Sequence, residues 1–265
     1  MAAHLADMIR LEPHQYDLVR HLFTGLQLYP HLPFCIIEGK QPGWILVDDD
    51  QSPTAAFVGH RTGYSYLGGE SETFASDLEA GLAESTGLES FDLCPASSFW
   101  ADRIQRMADW QGGTYKMNSY RLDVDHFRSA QSTLPPVPEG CQLLPITVEI
   151  IQRVKGLSCL AFFETAEAFV EDGVGSIILA GEELASSCVT SFVGDGTCDA
   201  SLVTADKHQR RGHATLVSAA FIASCLERGI EPIWHTTPGN VPSDRIAQKL
   251  GYELLGAFPM QRLHR

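Results

Sequence analysis

The spacing of apolar residues changes period several times along the chain, and each change marks an element. Leu216, Ala220 and Ala223 fall on one helical face with Val217 and Phe221 beside it, which predicts a long helix with a buried stripe. Branched and aromatic residues before it predict strands over 176–180, 185–192 and 198–204. Gly181-Glu182-Glu183 and Gly194-Asp195-Gly196 supply the turns between them. Helices are expected over 147–157 and 165–172, the second with Thr165 as its cap. Beyond the long helix, a strand around Ile233, a helix over 241–250 and a closing strand over 253–258 complete this half.

The N-terminal half predicts a helix over 14–23 and strands over 34–37, 44–48, 55–60 and 64–68. A helix over 72–86, a strand over 90–94, a helix over 99–110 and a strand over 115–122 follow. Between the halves, 132–140 holds three prolines and a glycine, a composition that sustains neither a helix nor an interior strand. The expected organisation is therefore an α/β domain over 1–131, a proline-rich linker over 132–140 and a second domain over 141–265.

Composition narrows the function classes. The formal charge of −14 is spread over both halves, with 9 basic and 18 acidic residues before Glu139 and 10 basic and 15 acidic from there on. No basic domain is hidden by averaging, so nucleic acid is an unexpected partner. The acidic surface fits plain solubility first, and attraction of a cationic amine second. Seven cysteines, with no C-x-x-C pair, read as buried thiols of a reducing compartment, and no metal site is expected. No apolar run has the length of a signal peptide or a membrane span, so a cytoplasmic protein without a membrane partner is expected.

The chemistry concentrates between Val203 and Glu227. A strand runs into the basic loop Lys207 to Gly212 and then into the long helix, expected to begin near Thr215. Gly212 permits close approach of a bulky anion, Ala214 is too small to block it, and the helix start directs unpaired N–H groups and its positive dipole end there. Lys207, Arg210 and Arg211 add charge of the matching sign. A ligand carrying phosphates follows, although an ordinary basic loop before a core helix has the same composition.

Gln209-Arg210-Arg211-Gly212-His213-Ala214 matches the Q/R-x-x-G-x-G/A signature of the GNAT superfamily of N-acetyltransferases, and the segment resembles that family also in its preceding strand and following helix. After an apolar stretch over 232–235 come Asn240, Ser243, Ala247 and Lys249-Leu250-Gly251-Tyr252, similar to that family's N…A…klGF element. The resemblance covers the chain from about Gln142 onward. It implies an α/β (α+β) fold, a mixed twisted sheet flanked by helices, with acetyl-CoA as cosubstrate. The N-terminal element order echoes the C-terminal one, so that half is either a diverged duplicate or a sheet-and-helix domain of another fold. Gly68-Gly69-Glu70-Ser71 stands where its anion loop would be but has no basic neighbours, and no coenzyme is expected there. A two-part chain of this kind resembles the group that includes the zwittermicin-resistance acetyltransferases.

The same resemblance implies roles. Backbone amides near Leu202, Val203 and Thr204 would polarise the thioester carbonyl and hold the pantetheine arm. Amides from Gln209 through Arg210, Arg211, Gly212, His213 and Ala214 to Thr215 would hold the phosphates. Asn240, with Ser243 beside it, would order the pantetheine arm or the nearby helix. Asp199 matches a position where relatives carry a glutamate base. It equally fits a solvated turn residue, and His235 is the alternative base because its ordinary pKa suits neutral pH. Where many relatives place a tyrosine acid this chain has Ala247, and Tyr252 occupies a packing position. The expected activity is acetyl transfer from acetyl-CoA to a small amine. The alternatives are a non-catalytic acyl-CoA sensor or scaffold, and transfer of another acyl group.

Overall fold

Hydrogen-bond demand brings the apolar segments into two sheets, and contacts between elements divide the chain into two units, Met1–Met117 with Phe258–Arg265, and Asn118–Ala257. The computed structural model describes residues 8–26, 28–84, 90–104 and 111–264.

The first unit opens with β1 (Ile9–Arg10), a 3₁₀ helix (Pro13–Phe23) and α1 (His31–Ile37). An antiparallel meander follows in β2 (Gly43–Val47), β3 (Ala55–His60) and β4 (Tyr64–Gly69). The helix α2 (Glu72–Glu84) then crosses to β5 (Ser90–Pro95), which lies parallel to β4. After α3 (Ser98–Ile104) comes β6 (Gln111–Leu122), and the last strand of the chain returns antiparallel to β5, with Gln261 opposite Leu93. Phe57, Phe74, Leu78, Phe91 and Trp100 fill the core between this sheet and α2 and α3.

Residues 34–37, expected as a strand, belong to α1. All seven residues of that helix are buried, so its sequence shows no polar alternation from which a period could be read. Pro33 lies in the first turn, where its missing N–H breaks no helical bond. The ends of the helices expected over 72–86 and 99–110, from 85 and from 105 onward, lie outside the described residues.

The second unit begins within β6. It continues through α4 (Val124–Ser132), β7 (Cys141–Pro145), α5 (Val148–Arg153), α6 (Cys159–Phe162) and α7 (Ala166–Asp172). Next come β8 (Gly175–Ala180), β9 (Glu183–Gly194), β10 (Thr197–Thr204) and α8 (His213–Glu227). The short strands β11 (Glu231–Pro232) and β12 (Trp234–Thr236), then α9 (Val241–Lys249) and β13 (Tyr252–His264), close the chain. Thr147 and Thr165 cap α5 and α7 by accepting the amides of Ile150 and Ala168. The helix α4 lies outside the expected elements; Asp123 caps it by accepting the amides of Asp125 and His126.

The sheet order is β11-β10-β9-β8-β7, antiparallel throughout except for β10 with β11. Helix α8 buries Leu216, Val217, Phe221, Ile222 and Cys225. Each large apolar side chain so buried contributes roughly 1.5–3 kcal/mol relative to exposure. Ser176 on β8 donates its hydroxyl to the Val217 carbonyl at 2.6 Å, which fixes the helix along the sheet. Residues 118–131 thus fall in the unit that also holds 141–257, a different division from the one drawn at the prolines. Prolines mark where regular hydrogen bonding stops, whereas the units follow long-range strand pairing that composition does not record.

Candidate active site

Strand β10 has a parallel partner only at its start, where Thr197 and Cys198 face Glu231 and Pro232. The Ile233 amide donates to the Cys198 carbonyl at 2.8 Å, and then the strands part. Strand β12 pairs instead with 118–120 of β6, while β10 follows β9 as far as Thr204. One edge of β10 beyond Cys198 therefore has no ladder partner among the described residues. Where the fork opens, the register against β9 steps from Asp199↔Phe192 to Ala200↔Thr190, a bulge that bends the strands locally.

Strand alternation decides which amides face the opening. The Cys198 carbonyl points to β11, and the Ala205 amide points to the Ala185 carbonyl on the opposite side. Residues of even number in this strand therefore turn their N–H groups to the open edge, those of Leu202 and Thr204 included. Val203 faces β9, its carbonyl accepting from Ser186 Oγ at 3.0 Å.

The loop at the mouth of the fork is built to leave amides free. Arg210 and Gly212 both have positive φ, 61° and 82°, which curls the backbone so that successive N–H groups converge. Gly212 precedes α8, which starts at His213 and not at Thr215, and no side chain caps the helix. An added Cβ at Gly212 would meet nothing within 4 Å, so the concavity in front of the helix is open. The amides of His213, Ala214 and Thr215 cannot bond within the helix and carry its positive dipole end. Arg210 and Arg211 are exposed, while Lys207 is held by Glu183 at 2.6 Å.

Of the residues expected at the coenzyme, Leu202, Thr204, Gln209, Arg210, Gly212, His213, Ala214, Thr215, Asn240 and Ser243 line one cleft of about 610 Å³. Val203 lines a second cleft with Arg153 and Lys155, and Arg211 lines neither. Asn240 caps α9, its Oδ1 accepting the Ser243 amide at 3.4 Å, and Ser243 Oγ accepts the Trp234 indole N–H at 3.0 Å. Tyr120 adds a hydrogen bond from its hydroxyl to Asp244 at 2.9 Å, so α9 is fastened to β6 and β12.

The cleft also contains His208, which the sequence did not single out. Its ring lies 5.8 Å from that of His213, and both are buried. Burial, His208 and Arg211 together hold the His213 pKa below the usual histidine value.

The two candidate bases form a pair. His235 Nδ1 lies 3.3 Å from Asp199 Oδ2, with the side chains 3% and 14% exposed. Asp199 Oδ1 accepts the Ala200 amide at 2.7 Å, and His235 Nε2 is 3.2 Å from Ser119 Oγ. The pair stands where β10 leaves β11, at the base of the fork. Ala247 is fully buried on α9, and Tyr252 is a buried ring 5.5 Å from Trp234. Burial pushes the Tyr252 hydroxyl pKa well above its usual value. Cys198 and Cys225 face each other with sulfurs 3.5 Å apart; both are buried and free.

A sheet that forks beside an uncapped, glycine-led helix offers backbone N–H groups suited to an extended anion. The chain belongs to the GNAT acetyltransferase family, whose model matches residues 21–260, and it is an acyltransferase. It is 24% identical over 250 residues to YdfB, an uncharacterized N-acetyltransferase of Bacillus subtilis strain 168, covering 92% of this chain and 94% of that one. Among solved structures, a GCN5-related N-acetyltransferase-like protein of Streptococcus suis 89/1591 aligns with a TM-score of 0.73 at 22% identity, covering 95% of this chain and 99% of the other. A tandem GNAT protein from the clavulanic acid biosynthesis pathway aligns at 0.64 and 13%, covering 97% and 98%. These folds support a duplicated mixed sheet flanked by helices, with the first unit as the second copy. No described helix is long and apolar enough to cross a membrane.

Proposed function

We propose that the second unit binds acetyl-CoA along the fork and transfers its acetyl group to the amine of a small molecule by direct attack. The carrying observation is that β10 leaves its parallel partner after Cys198, next to the uncapped start of α8. The phosphates rest on amides from Gln209 to Thr215, and the open-edge amides of Leu202 and Thr204 face the pantetheine arm and the thioester. A fixed N–H aimed at the carbonyl oxygen stabilises charge that develops only as the tetrahedral intermediate forms.

The amine attacks once neutral. Asp199, paired with His235, accepts the proton that the nitrogen sheds as the C–N bond forms. The C–S bond then breaks and the coenzyme leaves as thiolate. No tyrosine occupies position 247, and the modest basicity of a thiolate lets it depart without a protein acid. Asp199 also supplies negative charge that draws an ammonium form of the acceptor to the fork. The first unit serves this chemistry as support, without a coenzyme of its own. The free cysteines fit a reducing cytoplasm.

Calorimetric titration with acetyl-CoA tests this directly. Micromolar binding that weakens about 100-fold in Gly212→Glu is the expected result; a folded wild-type protein that binds no acetyl-CoA overturns it. Ala247 favours a second reading, an acyl-CoA sensor or scaffold without turnover. An amine screen separates the two, because a sensor binds the coenzyme and acetylates nothing. Titration with longer acyl-CoA thioesters separates acetyl transfer from transfer of another acyl group.

A further inference from the structure

Ser119 is fully buried on β6, directly opposite His235 of β12 in the antiparallel register, so the two side chains are cross-strand neighbours. Its hydroxyl lies 3.2 Å from His235 Nε2, while the other ring nitrogen lies 3.3 Å from Asp199 Oδ2. An ionised carboxylate only accepts hydrogen bonds, so the hydrogen of a neutral ring sits on Nδ1 and Nε2 accepts from the Ser119 hydroxyl. A hydroxyl is both donor and acceptor. When the ring gains a proton, Nε2–H donates to Ser119 Oγ.

We propose that Ser119 is a positioning residue of the acyl-transfer site, holding the His235 ring with Nδ1 toward Asp199 so that the carboxylate is fixed to accept the amine proton. The order hydroxyl, imidazole, carboxylate is the one in which serine hydrolases activate a nucleophile. Ser119 is buried in the strand pair, so it orients the ring and does not attack the thioester. Without it, the buried Nε2 loses the hydrogen bond seen here in both charge states.

This inference rests on the transferase reading, and its test has one readout that does not. Nitrogen-15 NMR of the full-length protein reports the His235 tautomer, with His235→Gln assigning the signal. The wild-type ring is expected to carry its hydrogen on Nδ1, and the ring of Ser119→Ala, no longer held with Nδ1 toward Asp199, to turn and populate the Nε2 form as well. In kinetics, the general base contributes typically 100-fold or more, and Ser119→Ala is expected to lose part of that, on the order of ten-fold in kcat, with KM for acetyl-CoA unchanged and the acid limb of the kcat–pH profile displaced. Ser119→Thr keeps the hydroxyl and restores both readouts. Ser119→Cys, close in size but a weak hydrogen-bonder, gives an intermediate result and serves if the alanine variant does not fold.

An unchanged tautomer together with an unchanged kcat–pH profile in Ser119→Ala overturns the proposal. A displaced tautomer in a protein that acetylates no amine overturns the transferase reading instead and leaves the positioning role standing.

Discussion

Both units run an antiparallel meander into a helix and then a parallel strand, yet the two parallel pairs differ. In the first unit, β4 stays in register with β5 from Tyr64 opposite Asp92 to Leu67 opposite Pro95. In the second, β10 and β11 share only Thr197 and Cys198 with Glu231 and Pro232. The helices that follow differ in the same sense. The Thr54 carbonyl accepts the Glu70 amide at 3.1 Å, and Ser71 Oγ accepts the Phe74 amide at 3.3 Å, so the approach to α2 is satisfied from within. A Cβ added at Gly69 would fall 2.0 Å from the Thr54 carbonyl oxygen, whereas one at Gly212 would meet open space. Two copies of one fold thus spend their backbone N–H groups differently. One closes the ladder and caps the helix; the other leaves both unsatisfied, which makes it suited to an anionic, extended ligand.

The largest effect that would sharpen this contrast lies at the base of the fork. Asp199→Asn is expected to lower kcat by about 100-fold or more with coenzyme affinity unchanged, measured by steady-state kinetics beside calorimetry. Full turnover in that variant would remove Asp199 from the mechanism.

The two glycines come next. Gly212→Glu places a carboxylate in the concavity and is expected to weaken acetyl-CoA binding about 100-fold, roughly 2.7 kcal/mol, with a loss of about 1–2 kcal/mol of stability from the positive φ. Gly69→Ala forces a side chain into the Thr54 carbonyl at positive φ. It is expected to cost about 3 kcal/mol of stability in urea unfolding while leaving coenzyme affinity intact. Equal losses of binding in both variants would break the asymmetry between the units.

Two smaller effects follow. His213 has a folded-state pKa below its unfolded value of about 6.5, so the unfolded chain binds the proton first as the medium acidifies. Its contribution to stability is full above about pH 6.5 and declines as pH falls toward the lowered folded value. His213→Gln should flatten that part of the stability profile; an unchanged slope assigns the acid sensitivity elsewhere. Ser71→Ala removes the cap on α2 and is expected to cost about 1 kcal/mol, read as a fall in the urea midpoint, and it creates no coenzyme site in the first unit.

Much of this was legible in one dimension. The meander of β8, β9 and β10, the loop through Gly212 and the helices capped by Thr147, Thr165 and Asn240 follow from turn chemistry, capping residues and apolar period. These are interactions between residues close in the chain, so their signals survive in the sequence. Helix α1 carries no such signal, because a segment buried on every side has no polar face to set its period.

The chain by itself determined the β8–β10 meander, most of the helices that follow and precede it, and which family the second half resembles. Asp199 and His235 stood in it as alternatives 36 positions apart in number. Only the tertiary structure decided that they are one pair, that Ser119 joins them across the β6 and β12 ladder, and that the C-terminal strand returns to the first unit. The physical reason is that parallel pairing, strand exchange and the meeting of buried polar groups depend on register between distant segments, and no local propensity encodes a register.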